Sequence, residues 1–401
     1  MDHRAIPIVC GLLSLIACIA SIEFTEFPGV FDELEHISYA AHLQETGRVL
    51  PRFEEQRRLS LWDWRDLGQW DHRSNYLTHP SPFYVLMALV LNRALPPAQA
   101  ILAPRLASAA LLLIGVMAVL NAGTRPFGRD RLVLVLFCLL VALCPKLIAV
   151  SGQVSNDSLA FLGGALAYWG AIQEERRCWR GPTAIGLGLL FALWAKLSAG
   201  LAVGVWIGIF LLLRTRLRLS VLLSIGFAIV VGSIPYLLIV MRYGKLVPVV
   251  AEDFGNVVQM DCFAAYLPVF LLTLGNTWVI SHTGEWPITQ MGAVLAILLF
   301  WAMVACAACG GKLAWPCRHE PRGAIGVAGD AAFALVLPVH LWFASASLGF
   351  SLPAASFRYY LPLWPPLAHA IAFGVTAAGA RWRKILATIS LAALIAGWLV
   401  P

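Results

Sequence analysis

Long apolar runs separated by short polar turns recur along the chain almost to its last residue. The first covers residues 6–22, just long enough to cross a bilayer as a helix. Runs at 101–121, 132–150, 159–171, 221–240, 291–309, 331–350 and 359–378 repeat the pattern, and a last one ends at Pro401. The run at 182–213 is interrupted by Lys196 and has arginines beyond both ends. It predicts a helical hairpin whose tip carries Lys196. The apolar core at 83–91 is too short to span and predicts an interfacial or re-entrant helix. Together these runs predict about eleven spans in one all-helical transmembrane domain, 1–401.

The polar turns sort the two sides of the membrane. Arg125, Arg129 and Arg131 lie in one turn, Arg214, Arg216 and Arg218 in another, Lys312, Arg318 and Arg322 in a third, and Arg381, Arg383 and Lys384 in a fourth. Basic turns of this kind mark the cytoplasm. Residues 23–100 then form an external loop, and 241–287, around Asp253, a second one. Within the first loop a helical pattern follows His36 and is ended by Gly47 and Pro51. Trp62, Trp64 and Trp70 follow among charges, a setting that suits the headgroup level.

Composition agrees with the pattern. Apolar residues make up 60% of the chain and charged ones 13%, about half the charged fraction of a soluble protein. The net charge of +7 then reflects cytoplasmic turns and is no sign of nucleic-acid binding. The first run is too long for a signal-peptide core and reads as an uncleaved helix. Most of the nine cysteines lie inside apolar runs and give no disulfide framework, and Cys306 and Cys309 lack the partners of a zinc site. Gly186 and Gly188 sit within an apolar helix, where close packing explains them better than phosphate binding does.

The candidate chemistry begins just past the first span, at Pro28-Gly29-Val30-Phe31-Asp32-Glu33-Leu34-Glu35-His36. Acids also favour a helix start. The topology, however, collects Asp32, Glu33, Glu35, His36, His79, Asp157, Lys196 and Arg358 on the outer face. Ionisable groups at a membrane edge are functional candidates, because burying them is costly unless they are paired. Headgroup contact by Lys196 and Arg358 is the plainer alternative. Acids there can take a proton from a hydroxyl nucleophile, and cations can hold a phosphate. Glu33 and His36 match only half of a di-iron motif. His42 and His72 read as exposed loop residues, and His340 and His369 as hydrogen-bonding partners between helices.

The chain also resembles the GT-C integral-membrane glycosyltransferases, which include protein mannosyltransferases, lipid A aminoarabinose transferases and related bacterial multipass families. Asp32-Glu33 followed by His36, Gly47 and Pro51 resembles their first-loop signature. His79-Pro80-Ser81-Pro82-Phe83-Tyr84 resembles their His/Lys-Pro-Pro-Leu-Tyr motif, and Arg105-Leu106-Ala107-Ser108-Ala109 the Arg-Leu-x-Ser-Ala after it. Ser151-Gly152 with Asn156-Asp157 is similar to their second acidic site. Ala195-Lys196-Leu197-Ser198 is similar to their hairpin, and Arg358-Tyr359-Tyr360-Leu361-Pro362 to their Arg-Tyr-Leu-Leu-Pro.

The resemblance implies a bacterial inner-membrane enzyme that moves a sugar from a polyprenyl-phosphate donor to a hydroxyl acceptor on the periplasmic side. It implies catalysis by Asp32 with Glu33 beside it. Substrate contacts are implied for His36, His79, Arg105, Asp157, Lys196, Arg358 and Tyr359. A divalent metal such as Mg or Mn, if one is used, would sit on Asp32 and Asp157. The chain stops after its last span, which favours a lipid or glycan acceptor over a protein. Ser81 departs from the Pro-Pro pair, and Lys146 is an extra charge in the third span, open to pairing with Asp157 or to a phosphate. The rival classes are a transporter or lipid flippase, whose charges would line a path through the bilayer, and a non-catalytic membrane assembly protein.

Overall fold

The computed structural model describes residues 3–29, 32–50, 52–60, 67, 69–75, 77–174, 179–214, 218–246, 263–278, 291–347 and 356–399. Pro51, Trp62, Trp64, Arg216 and Asp253 lie outside the described residues. The protein is a polytopic helical bundle. Helix α1 (Ala5–Phe24) covers the first apolar run, and α2 (Glu33–Thr46) follows it. Gly47 ends α2 in the left-handed conformation (φ 63°), with its N–H donated to the Leu43 carbonyl at 2.8 Å. This is the usual glycine stop.

The first loop differs from its expected form in two ways. It is not wholly helical: β1 (Arg57–Leu59) pairs antiparallel with β2 (Trp70–Ser74). The small sheet lies over α2, with the Leu59 N–H donated to Ser38 Oγ at 2.9 Å. Helix α2 is consequently buried from Glu33 to Leu43, and His42, expected to be exposed, is buried. Trp70 sits between the guanidinium groups of Arg57 and Arg93, 5.6 and 5.5 Å from the ring centroid. Helix α3 (Pro82–Val90) is the expected short helix and packs on α2.

After α4 (Pro97–Ala100) and α5 (Leu102–Phe127), α6 (Arg131–Ala142) opens on an Asp130 cap, its carboxylate accepting from the Val133 N–H. One helix was expected over 132–150. The chain breaks instead at Cys144, and α7 (Pro145–Ser151) begins anew. Proline has no N–H to continue the ladder and pushes the preceding residue out of helical geometry. Cys144 accordingly takes φ −57°, ψ 117°.

Helix α8 (Asp157–Gln173) packs on α9 (Arg180–Ala195), and Lys196 separates α9 from α10 (Leu197–Leu213) in extended backbone. The predicted hairpin break is therefore at Lys196. Gly188 lets the α8 and α9 backbones meet: a Cβ there would fall 2.5 Å from the Ala167 nitrogen.

The remaining helices are α11 (Leu219–Tyr243), α12 (Phe263–Asn276), α13 (Met291–Ala314), α14 (Pro321–Trp342), α15 (Trp364–Ala377) and α16 (Ala380–Leu399). A 3-10 turn, Phe357–Leu363, leads into α15. Six helices among the described residues are long and apolar enough to cross a membrane, and α11 leaves Leu223, Phe227, Val230 and Leu237 exposed for lipid. Helix α14 begins ten residues before the expected start of its span at 331, which carries Asp330 into the helix against Gly311 of α13. His340 bonds the Tyr360 hydroxyl at 2.8 Å and His369 that of Tyr168 at 3.0 Å, as expected of histidines between helices.

Candidate active site

The chain ends of four elements converge at one end of the bundle. Asp32 precedes α2, Asp157 opens α8, Lys196 lies between α9 and α10, and Arg358 sits in the turn before α15. The opposite ends of α8 and α10 carry a separate group, in which Glu174 meets Arg214 and Arg218.

Asp32 adopts φ 60°, ψ 26°, the left-handed region, alone among the non-glycine described residues. Aspartate tolerates this geometry better than most residues, at a cost of about 1–2 kcal/mol. Its carboxylate accepts a hydrogen bond from Arg358 Nη2 at 2.7 Å, and the side chain stays 27% exposed. Glu33, one residue on, is wholly enclosed. Its Oε1 accepts from Arg105 Nε at 2.8 Å and the Val154 N–H at 2.9 Å; its Oε2 accepts from Arg105 Nη2 and the Gly29 N–H, both at 2.7 Å. Two adjacent carboxylates thus have different surroundings, one open and one sealed.

Arg105 was expected at the substrate. Its five N–H bonds instead go to Glu33 and to the Ile22, Thr25 and Glu26 carbonyls. It fastens the end of α1 and the start of α2 to α5. The signal for this role was present as an arginine at the mouth of an apolar helix, but nothing in the sequence named Glu33 as its partner.

Asp157 is buried and ion-paired with Lys196. Its other oxygen accepts from Ser155 Oγ at 3.1 Å and lies 4.0 Å from Arg358 Nε. Tyr359 lies between the two cations: Lys196 Nζ is 4.4 Å and the Arg358 guanidinium carbon 5.4 Å from its ring centroid. A ring face stabilises cations held over it. The two cations, expected to share an anion, both lie beside the Asp157 carboxylate, and Arg358 also pairs with Asp32.

His36 Nδ1 and the Tyr84 hydroxyl are 3.0 Å apart, and Tyr84 stacks on Tyr39. Burial, partly offset by Asp32, pushes His36 down to about 4. Burial followed by the nearby His36 and Lys196 pushes His79 down to about 3. Both imidazoles are therefore neutral at neutral pH, and His79 can offer a phosphate a hydrogen bond but no charge. Glu35, raised by burial and by Asp32, lies 3.5 Å from Arg58, which also meets Asp71.

His79 also lines a cavity of about 240 Å³ between the first loop and α11. Tyr39 and Ser81 form one wall; Pro235, Leu238 and Ile239 form an apolar one, with Arg242 and Tyr243 at its end. The Asp157 oxygens meet an ammonium and a hydroxyl, and one Asp32 oxygen meets a guanidinium. Among the described residues no group of three or more His, Cys, Asp or Glu could hold a metal. One acid escaped the sequence reading: the Asp330 carboxylate, buried inside the bundle against Gly311.

No family model and no curated protein matches the sequence. Among solved structures, the Archaeoglobus fulgidus oligosaccharyltransferase in its apo form is similar, with a TM-score of 0.57 at 13% identity over 99% of this chain and 55% of that one. The archaeal oligosaccharyltransferase AglB from the same organism, in complex with an inhibitory peptide and a dolichol-phosphate, gives 0.53 at 13% identity over 99% and 55%. ArnT from Cupriavidus metallidurans bound to undecaprenyl phosphate gives 0.44 at 14% identity over 92% and 77%. This chain spans about half the length of the archaeal enzyme. The two archaeal likenesses are ones of fold: this chain has the fold of the membrane part of that oligosaccharyltransferase over the aligned length.

Proposed function

We propose that the protein is a membrane glycosyltransferase that moves a sugar from a polyprenyl-phosphate donor to a hydroxyl acceptor on the outer, periplasmic face. The observation that carries this reading is the half-open carboxylate of Asp32 held at 2.7 Å by Arg358, beside the buried Asp157–Lys196 pair. The dolichol-phosphate in the archaeal complex supports a lipid-linked donor for a protein of this fold.

In this mechanism the acceptor hydroxyl gives its proton to Asp32 as its oxygen attacks the anomeric carbon. The bond from that carbon to the phosphate oxygen breaks, and lipid phosphate leaves with the electron pair. Negative charge grows on the phosphate as the sugar departs. Arg358 and Lys196 stabilise that charge best where it is largest. Glu33 and Arg105 hold Asp32 in place without touching substrate. The apolar wall along α11 suits an acceptor carried on a lipid or a lipid-anchored glycan. Mass spectrometry of cell-envelope glycans with and without the gene tests the function, and unchanged glycans count against it.

Two expectations arise here. Arg358→Ala is expected to weaken donor affinity by about 10- to 150-fold, the equivalent of one charged hydrogen bond. Arg358→Lys should recover only part of the loss, because the planar fork is gone. Donor titration in nanodiscs at fixed acceptor reads both, and wild-type affinity in the alanine variant removes Arg358 from the phosphate site. The second concerns sidedness. In a cysteine-free background, a cysteine at Glu55 should react with an impermeant maleimide from outside, and one at Arg129 only after permeabilisation. The basic turns are the motive. Labelling of the Arg129 position in intact cells contradicts the topology.

A further inference from the structure

The cavity between the first loop and α11 adjoins the charged site. His79 forms its inner wall and has His36, Lys196 and Asp157 in its surroundings. Pro235, Leu238 and Ile239 of α11 form its outer wall. Tyr236, beside that wall, donates its hydroxyl to the Leu193 carbonyl at 2.7 Å, just before Lys196. Among the described residues the lining has no charged side chain except Arg242 at its end. The interior therefore suits an uncharged, largely apolar group.

Several features leave the α11 wall free to move. Helix α11 is the least buried of the six long apolar helices, and among the described residues it packs chiefly on α9. Leu237 and Met241, on the same stretch, are exposed for lipid. Pro235 has no N–H for the Val231 carbonyl, so the helical ladder lacks a bond at the wall itself. Beyond it, the helix end is fastened to the 3-10 turn Phe53–Glu55 of the first loop. Glu54 accepts from the Tyr243 hydroxyl at 2.6 Å and from Arg242 Nη2 at 3.2 Å, and the Phe53 N–H donates to the Tyr243 oxygen at 3.1 Å. Both charged side chains are exposed, and such pairs hold weakly. At about 240 Å³ the cavity also falls below the roughly 300–1,000 Å³ usual for pockets that enclose small molecules. A lipid-borne group needs the wall displaced.

We infer that this cavity binds the apolar chain of a hydroxyl-bearing lipid acceptor, and that the contact of Glu54 with Arg242 and Tyr243 is the gate through which that lipid enters from the outer leaflet. This rests on the transferase reading above and makes its acceptor a lipid taken from the bilayer, not a molecule taken from water. The chain lies along Pro235, Leu238 and Ile239, with its hydroxyl end toward His79.

The test uses the full chain in a cysteine-free background in nanodiscs. The probe is hexadecyl β-glucoside carrying a diazirine in its chain, with photolabelled residues mapped by mass spectrometry. The parent protein is expected to be labelled at Tyr39 and Ser81, which line the cavity and are buried. Glu54→Cys with Arg242→Cys, joined by a short reducible bis-methanethiosulfonate, fixes the gate shut. Linking before the probe is added should lower labelling at both residues by about tenfold or more, because only the open fraction can bind. Linking after the probe has entered should preserve labelling, and reduction should release the probe. A link that merely distorted the protein would act alike in either order. The same link between Arg48→Cys and Glu55→Cys, within the first loop, should leave labelling unchanged. Tyr243→Phe loosens the gate and should make label appear faster. Labelling that ignores the order of linking overturns the gate, and no label at Tyr39 or Ser81 in the parent overturns the site. Donor titration on Arg358→Ala reads the transferase proposal separately. If that variant loses donor affinity while the labelling results fail, only this inference is lost. If it binds donor like wild type, the donor site fails, and a labelled cavity is then a lipid site but not an acceptor's, which also overturns the inference.

Discussion

Asp32→Asn is expected to leave the protein folded and inserted while lowering turnover by a factor of about 10²–10⁴, the usual loss when a general base is removed. The substitution isolates chemistry from structure for two reasons. Asparagine is at least as comfortable as aspartate in the left-handed conformation that this position takes. The Asp32 side chain is also 27% exposed, so water reaches this end of the pair, and the Asp157 carboxylate stays 4.0 Å from Arg358 Nε when the Asp32 charge is removed. Melting temperature and donor binding should therefore stay near wild type while transfer collapses. Purified Asp32→Asn protein that turns over at the wild-type rate would show that the carboxylate merely holds the start of α2.

The second large effect is expected at Glu33, and it is of the opposite kind. Glu33→Gln leaves the Arg105 guanidinium buried against a neutral amide, with 5% of its side chain exposed. Breaking one side of a buried pair costs about 3–5 kcal/mol. The variant should melt well below wild type in detergent and lose activity only in proportion to the folded fraction. Replacing both partners, Glu33→Met with Arg105→Met, should be milder than either single change, because no charge is stranded. A Glu33→Gln protein with normal melting and abolished turnover would instead return Glu33 to the chemistry, as its neighbour relationship to Asp32 first implied.

Much of this architecture was legible because bilayers impose length and charge rules on single segments. A charge interrupting an apolar run marked the break at Lys196, and Gly47 marked the end of α2. The break at Cys144 was less visible, since Pro145 lies inside a run that stays apolar on both sides. The small sheet over α2 was missed because short strands among charged residues carry little periodicity, and the burial of His42 followed from that sheet. Residue types on one face could be read, but their pairing could not. Glu33 finds Arg105 across 72 residues and Asp32 finds Arg358 across 326, separations about which local pattern carries no information.

Those separations also set a timetable for synthesis. At roughly 5–20 residues per second, Lys196 follows Asp157 by about 2–8 s, whereas Arg358 follows Asp32 by about 16–65 s. The inner ion pair can close while the ribosome is still delivering helices. The outer one must wait until α14 has been made, with Asp32 held ready by Glu33 and Arg105 in the meantime. A chain released before Arg358 has been made thus carries the acid without its guanidinium.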